Sequence, residues 1–233
     1  MSLSTCSGAA GPQGKEEARH GTPGFPLASY EDDVFRSAVP WHWHEEWEWI
    51  LVTRGSLEIC LENTRLPLRQ GKSIFLNSGV LHGVQPSPGG PSVLRSVVFH
   101  PRLIGGSLDS VFWQKLVQPF QQPAAPRFVL LDPASGWQQE SIRCLQEAWD
   151  ASAAEEEDYE NQVRYQLSRG LGLLRRHFPA AARQPSAQEQ AAAQRVKAML
   201  RFLQDHFAEE DTLEQIAASA SVSESSCLRC FRQ

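Results

Sequence analysis

Residues 41–50 read WHWHEEWEWI, and this stretch decides how the rest of the sequence is interpreted. Its tryptophans all stand at odd positions, whereas its two histidines and two of its glutamates stand at even positions. Successive side chains of a strand point to opposite faces, so a strand here would separate the indoles from the imidazoles and carboxylates. Either the polar face meets water, or it points inward and forms a site. Ile50 and Val52 continue the polar face with apolar residues and favour the inward site, although Leu51 extends the other face in the same way.

The spacing of the polar residues matches a known pattern of metal ligands. His42, His44, Glu48 and Gly55 form H-x-H-x3-E-x6-G, and the pattern G-x5-N-S-G-x2-H follows, ending at His82. These motifs resemble the two motifs of the cupin superfamily, which are small antiparallel barrels of jelly-roll type. The resemblance implies that the three histidines and the glutamate converge inside a barrel, where cupins commonly hold Fe, Mn, Ni, Zn or Cu.

Two interpretations of this site stay open. Three imidazoles and a carboxylate are a normal ligand set for a divalent transition metal, with one or two coordination positions left open. The second motif departs from the cupin pattern, because Asn77 stands where Pro is usual and no Asn follows His82. In the other interpretation no cofactor is required, and the histidines and Glu48 line an effector pocket in which they bond to each other, to water or to a small molecule.

The composition narrows the class of protein. The chain has 233 residues, 41% of them hydrophobic, which is enough for one or two packed domains. A formal net charge of −5 gives no general attraction to nucleic acid or to an acidic membrane surface. Five scattered cysteines fit a reducing cytoplasm better than a disulfide framework. The sequence has neither an apolar run long enough to cross a membrane nor a signal peptide, so we expect a cytoplasmic protein without membrane contact.

The hydrophobic pattern predicts a β-rich first part and a helical remainder. Short apolar runs broken by Gly, Pro and Asn over residues 24–100 fit an antiparallel barrel or sandwich. From about residue 110 the period becomes helical: a short helix is predicted at 111–117, then a Pro-rich break, then two amphipathic helices centred near Leu145 and Leu167. The predicted fold class is therefore mixed, β and then α.

Residues 213–232 fit a helix-turn-helix. Ser221 stands in the turn, where glycine is common, and Ser223 is a good N-cap for the second helix. Cys227 recurs with Cys230 and Phe231 at helical spacing and is expected to face the core. The opposite face carries the side chains that we expect to contact the major groove of DNA: Ser223, Glu224, Ser225, Arg229 and Arg232. Five basic and six acidic residues over 195–233 make this region net negative, which is unfavourable for binding phosphates.

A cupin barrel, two amphipathic helices and a helix-turn-helix, in this order, resemble the AraC family of transcription regulators. The resemblance implies a barrel that senses a small molecule, often a sugar, helices that form a homodimer, and a DNA-binding domain with two helix-turn-helix units. The second unit has no counterpart before Gln233, so we expect weak or no specific DNA binding by this chain. The expected divisions are a disordered tail at 1–22, a cupin effector-binding barrel at 23–105, a helical dimerisation segment at 106–180, a linker at 181–190 and an incomplete DNA-binding domain at 191–233.

The resemblance favours a regulator over an enzyme. It implies that the intact protein binds double-stranded DNA and responds to an effector near His42, His44, Glu48 and His82. Arg95, on a predicted strand, is a candidate partner for an anionic or hydroxylated effector. The alternative is a cupin metalloenzyme, of dioxygenase or sugar isomerase type, with a helical appendix; the four ligands support it and the helix-turn-helix opposes it. A non-enzymatic dimerisation module is a third interpretation.

Overall fold

The strands form two antiparallel sheets. The structure, a computed structural model, describes residues 14–16, 18–61, 64–88, 90–122, 124–177, 191, 195, 198–199, 202 and 212–232, with the backbone alone for 229–232. Its strands are β1 (Leu27–Asp33), β2 (Val39–His42), β3 (Trp47–Arg54), β4 (Ser56–Leu61), β5 (Thr64–Arg69), β6 (Ser73–Leu76), β7 (His82–Pro86), β8 (Val93–Phe99) and β9 (Phe128–Leu131). One sheet has the order β1-β8-β3-β6-β9 and the other the order β2-β7-β4-β5. The predicted antiparallel barrel or sandwich is confirmed.

The helices follow the barrel, as predicted. In the described residues they are α1 (Arg102–Gly105), a π-helical turn (Trp113–Val117), α2 (Gln118–Gln121), α3 (Gly136–Ala154), α4 (Tyr159–Arg176), α5 (Leu213–Ser219) and α6 (Glu224–Arg232). The long pair α3 and α4 bury their apolar stripes, which confirms the two amphipathic helices. No helix in this part of the chain is long and apolar enough to cross a membrane.

The predicted break after residue 117 is partly wrong. α2 occupies its first four residues, because Pro119 lies in the first helical turn, where a missing N–H costs no hydrogen bond. The short apolar run of β9 was also missed by the sequence analysis. β9 pairs with β6, so the larger sheet includes chain beyond the expected end of the barrel at residue 105.

The two faces of β3 enter two different cores. Trp47, Trp49 and Leu51 lie in an apolar cluster with residues of α3 and α4, outside the barrel. Ile50 and Val52 lie in a second cluster with residues of β4, β6 and β8, between the two sheets. The even face of β3 therefore points into the barrel, whereas Trp47 and Trp49 on its odd face pack against α3 and α4.

The opening stretch is nevertheless two strands and not one. β2 ends at His42 in the smaller sheet, and β3 begins at Trp47 in the larger sheet. Residues 43–46 cross between the sheets, held by hydrogen bonds from Gly79 N to the His44 carbonyl (2.8 Å) and from the Ser78 hydroxyl to the Glu45 carbonyl. The crossing is expected of a small barrel, whose strands rarely exceed ten residues.

The two-helix unit at the end of the described chain has the predicted geometry. Ser221, at the position where glycine is common, has a left-handed φ of 54°. The Ser223 hydroxyl accepts a hydrogen bond from Ser226 N at 3.3 Å and so caps α6. Thr212 and Gln215 form a capping box at the start of α5 that the sequence analysis missed.

This unit packs on the barrel through a small apolar cluster. Leu81 of the barrel and Ala217 and Cys227 of the two helices are almost fully buried in it. Half-buried side chains complete it, those of Trp41, Trp43, Leu213, Ile216, Ala220 and Val222. The buried Cys227 bears out its expected place on the core side of α6; the side chains of Cys230 and Phe231 lie outside the described part of the chain.

Candidate metal and effector site

Four buried side chains from different parts of the barrel converge between the two sheets. His42 ends β2 and pairs in register with His82, which begins β7. His44 lies in the crossing between the sheets, and Glu48 lies on the inner face of β3. One ligand atom from each residue lies within 4.8 Å of all the others, and no residue of the four is more than 7% exposed. The structure thus brings together all four residues that the two motifs single out.

Backbone carbonyls orient all three imidazoles in the same way. The Nδ1 atoms of His42, His44 and His82 lie 2.9, 3.1 and 2.8 Å from the carbonyls of Pro40, Glu46 and Val80. A carbonyl can only accept, so each Nδ1 carries a proton and donates it. Each Nε2 then faces the centre of the cluster as the potential ligand atom, which is how proteins usually fix metal-binding histidines.

Glu48 is the anion at the centre of the cluster. Its Oε2 lies 2.8 Å from His82 Nε2 and 3.5 Å from His44 Nε2. Burial alone would raise the pKa of Glu48, but the contacts with His44 and His82 outweigh burial and hold this pKa well below its ordinary value. The carboxylate is therefore ionised and available to a cation.

The two paired histidines are shifted in opposite directions. Burial, followed by the positive charge of neighbouring His82, lowers the pKa of His42 to about 4. Burial also acts to lower the pKa of His82, but the hydrogen bond to Glu48 and its charge raise it above the ordinary value. His42 is thus a neutral imidazole at neutral pH, while His82 donates from both ring nitrogens, to Val80 and to Glu48.

These residues fit a divalent transition metal. The buried Nε2 of His44 has no hydrogen-bond partner among the described residues, which is costly for a polar atom unless something else binds it. An ion with bonds of about 2.1 Å holds ligands on opposite sides about 4.2 Å apart, close to the largest separation in the cluster. Three nitrogen donors and one carboxylate suit Fe, Mn, Co, Ni, Cu or Zn.

The N-terminal segment closes one side of the cluster through residues 14–16 and 18–20, which lie in the expected disordered tail; residues 1–13 and 17 of that tail lie outside the described residues. Glu16 N donates to the Trp43 carbonyl at 2.9 Å, and Trp43 N donates to the Gly14 carbonyl at 2.8 Å. Glu16 and His20 are each 6% exposed, and Glu16 Oε2 lies 3.8 Å from His42 Nε2. The histidines attract this carboxylate towards the barrel. The Gly- and Ser-rich composition of the N-terminal region had given no sign of this contact.

Glu16 and His20 are the functional candidates that the sequence analysis missed. In the sequence, their spacing of four residues is the only feature that relates them. In the structure, their side chains lie 3.1 Å apart. Burial would raise the pKa of Glu16, but the interaction with His20 and the charges of His20, His42 and His44 lower it. His20 Nδ1 also lies 2.8 Å from the Tyr30 hydroxyl, so the segment is tied to β1.

Arg95 and Asn77, which the sequence analysis also singled out, do not belong to the cluster of four. Arg95 lies on the outer side of β8, where it stacks on Trp149 at 3.8 Å and pairs with Glu31 at 2.7 Å and Asp150 at 3.2 Å. It does not face the cluster, and its proposed contact with an effector is wrong. Asn77, which replaces the usual Pro of the second motif, accepts from Trp47 Nε1 and donates to carbonyls of the chain before β9.

The predicted DNA-contacting face is described in part. Ser223, Glu224 and Ser225, at the N-terminal end of α6, are exposed, whereas Cys227 is buried. The side chains of Arg229 and Arg232 lie outside the described residues, so their part in the face stays a prediction.

The barrel and the helices after it match a known protein family. The sequence model for the AraC-like ligand binding domain matches residues 27–167, from β1 into α4. The chain belongs to the AraC-like ligand binding domain family. This match covers more than half of the chain and includes all four residues of the cluster, His42, His44, Glu48 and His82.

Individual relatives of this AraC-like chain are distant. It is 24% identical over 223 residues to the uncharacterised HTH-type transcriptional regulator YdeC of Bacillus subtilis (strain 168), covering 94% of this chain and 75% of that protein. An RmlC-like cupin from Shewanella frigidimarina NCIMB 400 is 21% identical with a TM-score of 0.27, over 31% of this chain and 65% of that structure. Fe(II) HppE in complex with substrate is 24% identical with a TM-score of 0.29, over 31% of this chain and 45% of that structure.

Proposed function

We propose that this chain is a ligand-responsive transcription regulator that binds DNA through the two-helix unit at residues 212–232. The observation that carries the proposal is the union of an AraC-like ligand binding domain with a helix-turn-helix of correct turn and cap geometry. The name of the Bacillus subtilis relative, which aligns along nearly the whole chain, supports it. The exposed N-terminal end of α6 offers Ser223, Glu224 and Ser225, and the sequence adds Arg229 and Arg232.

The barrel of this regulator binds a divalent transition metal through His42, His44, Glu48 and His82. The shared orientation of the three imidazoles, the ionised Glu48 and the buried Nε2 of His44, which has no hydrogen-bond partner among the described residues, support this. When bound, the metal supplies a Lewis acid with positions open to an oxygen or nitrogen donor of an effector. The protein residues orient and charge-balance the site and exclude water from it.

The effector itself binds beside the four residues and not between them. Their ligand atoms lie within 4.8 Å of one another, so the enclosed space suits an ion or a water molecule and is too small for a sugar ring. Trp47 and Trp49 are fully buried against the helices and offer no stacking surface to the site. A sugar therefore remains the expectation of the family resemblance alone.

A contact path exists from the site to the DNA-binding unit. His42 and His82 are direct sequence neighbours of Trp41, Trp43 and Leu81, which lie in the apolar cluster shared with α5 and α6. Alternation along a strand places the histidines on one face and the cluster residues on the other. A ligand that moves the site histidines thus shifts the packing of the helix-turn-helix, provided it binds the two arrangements with different affinity.

The remaining partners are part of the same proposal. In this proposal the protein is a cytoplasmic homodimer with a dimerisation segment at 106–180, a linker at 181–190, which lies outside the described residues, and DNA-binding residues at 191–233. The apolar stripes of α3 and α4 pack on β3 and on each other, so a dimer would use their outer faces, where Tyr165 is 61% exposed.

Selection of binding sites from a random duplex DNA library by the 233-residue chain tests the regulator. At low salt, where phosphate contacts are strongest, we expect weak enrichment of a short motif of the size that one recognition helix reads, in keeping with the weak specific binding expected of a single helix-turn-helix unit. A double change, Arg229→Ala with Arg232→Ala, should abolish the enrichment, while the matched change Arg36→Ala with Arg54→Ala on barrel turns should not. Wild-type protein that folds and enriches no motif would overturn the proposal.

The second candidate function is a cupin-type metalloenzyme, of dioxygenase or sugar isomerase class. The open four-residue ligand set favours it, since it is the same chemistry that a metalloenzyme needs. Oxygen consumption or sugar isomerisation by the metal-loaded chain, lost in His82→Ala, together with no selected DNA motif, would favour this candidate over the regulator.

A further inference from the structure

The N-terminal segment brings a carboxylate to the edge of the four-residue cluster. Glu16 Oε2 lies 3.8 Å from Nε2 of His42, the nitrogen whose lone pair faces the centre because Nδ1 donates to Pro40. The carboxylate stands outside the compact group of four and borders it on the His42 side. A shift of the segment past His42 towards the centre would bring this oxygen among the other ligand atoms.

Hydrogen bonds and packing hold the carboxylate of Glu16 in this position. Backbone hydrogen bonds to both the N–H and the carbonyl of Trp43 fix residues 14–16 beside the crossing that carries His44. His20, four residues later, lies 3.1 Å from Glu16, packs edge-on to His44 at 5.5 Å and bonds to Tyr30. Both Glu16 and His20 are 6% exposed, although they belong to a stretch of otherwise polar and small residues.

The buried carboxylate of Glu16 is held by the imidazoles around it, His20 at 3.1 Å and His42 at 3.8 Å. Removing a carboxylate from water is unfavourable unless it gains a cation or several hydrogen bonds. A surface position was available to it, as it is to Glu45, which pairs with Lys15 of the same segment at 2.6 Å in contact with solvent. The position of Glu16 instead adds a hard oxygen donor to a cluster whose four members leave one or two metal positions open.

We propose that Glu16 is a further protein ligand to the metal of the barrel, so that docking of residues 14–20 and metal binding stabilise each other. This inference rests on the proposed metal site. The inference also identifies the effector class. Only a ligand with an anionic oxygen donor, such as a carboxylate, offers the metal the same type of donor and the same charge as Glu16, and can therefore replace it. Such an effector reaches the metal by releasing the segment.

Co²⁺ titration of the full chain tests the proposal, with Glu16→Gln as the variant and Glu45→Gln as its matched control. The first change removes the donor charge at nearly constant shape, and the second removes the surface pair of the same segment. We expect Co²⁺ to bind Glu16→Gln at least tenfold more weakly, with a changed visible absorption spectrum, and to bind Glu45→Gln like the wild type. Azide, a small anionic probe, should bind the Co²⁺ form of Glu16→Gln at lower concentration than the wild type.

Limited trypsin digestion gives a second readout that does not depend on spectra. Trypsin cuts after Lys15 and Arg19, which flank Glu16 and are partly or fully exposed. Co²⁺ should slow cleavage at both bonds in the wild type and in Glu45→Gln, and leave it unchanged in Glu16→Gln.

The outcomes separate this inference from the metal site itself. If the wild type binds Co²⁺ and Glu16→Gln has the same spectrum, azide affinity and cleavage rate, Glu16 is not a ligand and only this inference falls. Weaker binding with an unchanged spectrum and unchanged azide affinity also overturns it, since Glu16 then acts only through its neighbours. If the wild type binds no Co²⁺, the proposed metal site fails, and this inference fails with it.

Discussion

The imidazole of His82 and the carboxylate of Glu48 meet at 2.8 Å inside the barrel, and both side chains are shielded from solvent. His82 donates to Val80 from its other nitrogen, so in this arrangement the ring is protonated at both positions. The proton on Nε2 occupies the place that a metal ion would take. Metal binding and protonation of His82 are therefore alternatives.

Metal binding should release this proton. Because the pKa of His82 is raised, the ring stays protonated to higher pH than an ordinary histidine, and the metal must displace the proton below that pKa. We expect the affinity for Zn²⁺ or Co²⁺ to fall as pH falls below the raised pKa of His82, approaching tenfold per pH unit. Calorimetric titrations in buffers of different ionisation enthalpy measure the released proton directly, and equal heats in all buffers would contradict the prediction.

Acid should destabilise the metal-free chain through His42. Its pKa is about 4 in the folded chain and near 6.5 when unfolded, so between these values the unfolded chain binds a proton that the folded chain does not. The free energy of unfolding should fall by up to about 3 kcal/mol as pH falls through this window. Glu48 and Glu16, whose pKa values are lowered, add losses only below about pH 4.5.

Urea denaturation across this pH range measures the effect. In His42→Gln the fall between pH 6.5 and 4 should flatten, since glutamine does not titrate. His100→Gln is the comparison, because the pKa of His100 is also lowered but this residue lies away from the cluster and is only half-buried. A slope unchanged in His42→Gln would mean that another group carries the pH dependence.

Gly170 should resist substitution more than its neighbour Gly172. A Cβ at Gly170 would lie 2.6 Å from the Trp49 ring and 3.3 Å from Cys144 Cβ, so α4 must move away from β3. We expect Gly170→Ala to destabilise the chain by about 1–3 kcal/mol, the usual cost of overpacking. A Cβ at Gly172 meets only Leu116 at 3.9 Å, so Gly172→Ala should be neutral or stabilise α4 by up to about 1 kcal/mol. Thermal unfolding of both variants tests this, and equal shifts would contradict it.

The alternation in the opening stretch separated the indoles from the polar side chains and favoured the inward direction of the polar face, because side-chain alternation is a local property of strands. Sequence spacing also identified His42, His44, Glu48 and His82 before any of them could be placed in space. The crossing at 43–46 could not be seen, because alternation continues through it without a breaker residue. β9 escaped detection because four apolar residues are too few to distinguish a strand from a loop.

Glu16 and His20 could not be found from the sequence for a different reason. Their place depends on the histidine cluster that forms only when distant strands have assembled, and nothing in the composition of the segment signals it. Arg95 shows the converse error, since a strand position says nothing about which face an arginine occupies when its partners, Glu31 and Asp150, come from β1 and α3.

Trp41 should tie the helix-turn-helix to the barrel. It is half-buried in the cluster that contains Ala217 and Cys227. Trp41→Ala should weaken this docking by about 1–2 kcal/mol, so that amide hydrogens of α5 and α6 exchange roughly 5–30 times faster. Phe35→Ala, at a position that is 59% exposed, is the matched control and should leave this exchange unchanged. Equal exchange in both variants would show that the cluster does not hold the unit on the barrel.

Elemental analysis of the purified, tag-free chain tests the central claim, that the four convergent residues form a metal site in an AraC-like barrel. After incubation with Mn²⁺, Fe²⁺, Co²⁺, Ni²⁺ or Zn²⁺ and removal of excess ion, we expect about one ion per chain for at least one of these metals. His82→Ala and Glu48→Gln should lose it, and His177→Ala, outside the cluster, should retain it. A folded wild-type chain that retains none of the five metals would contradict the account and leave a metal-free effector pocket in its place.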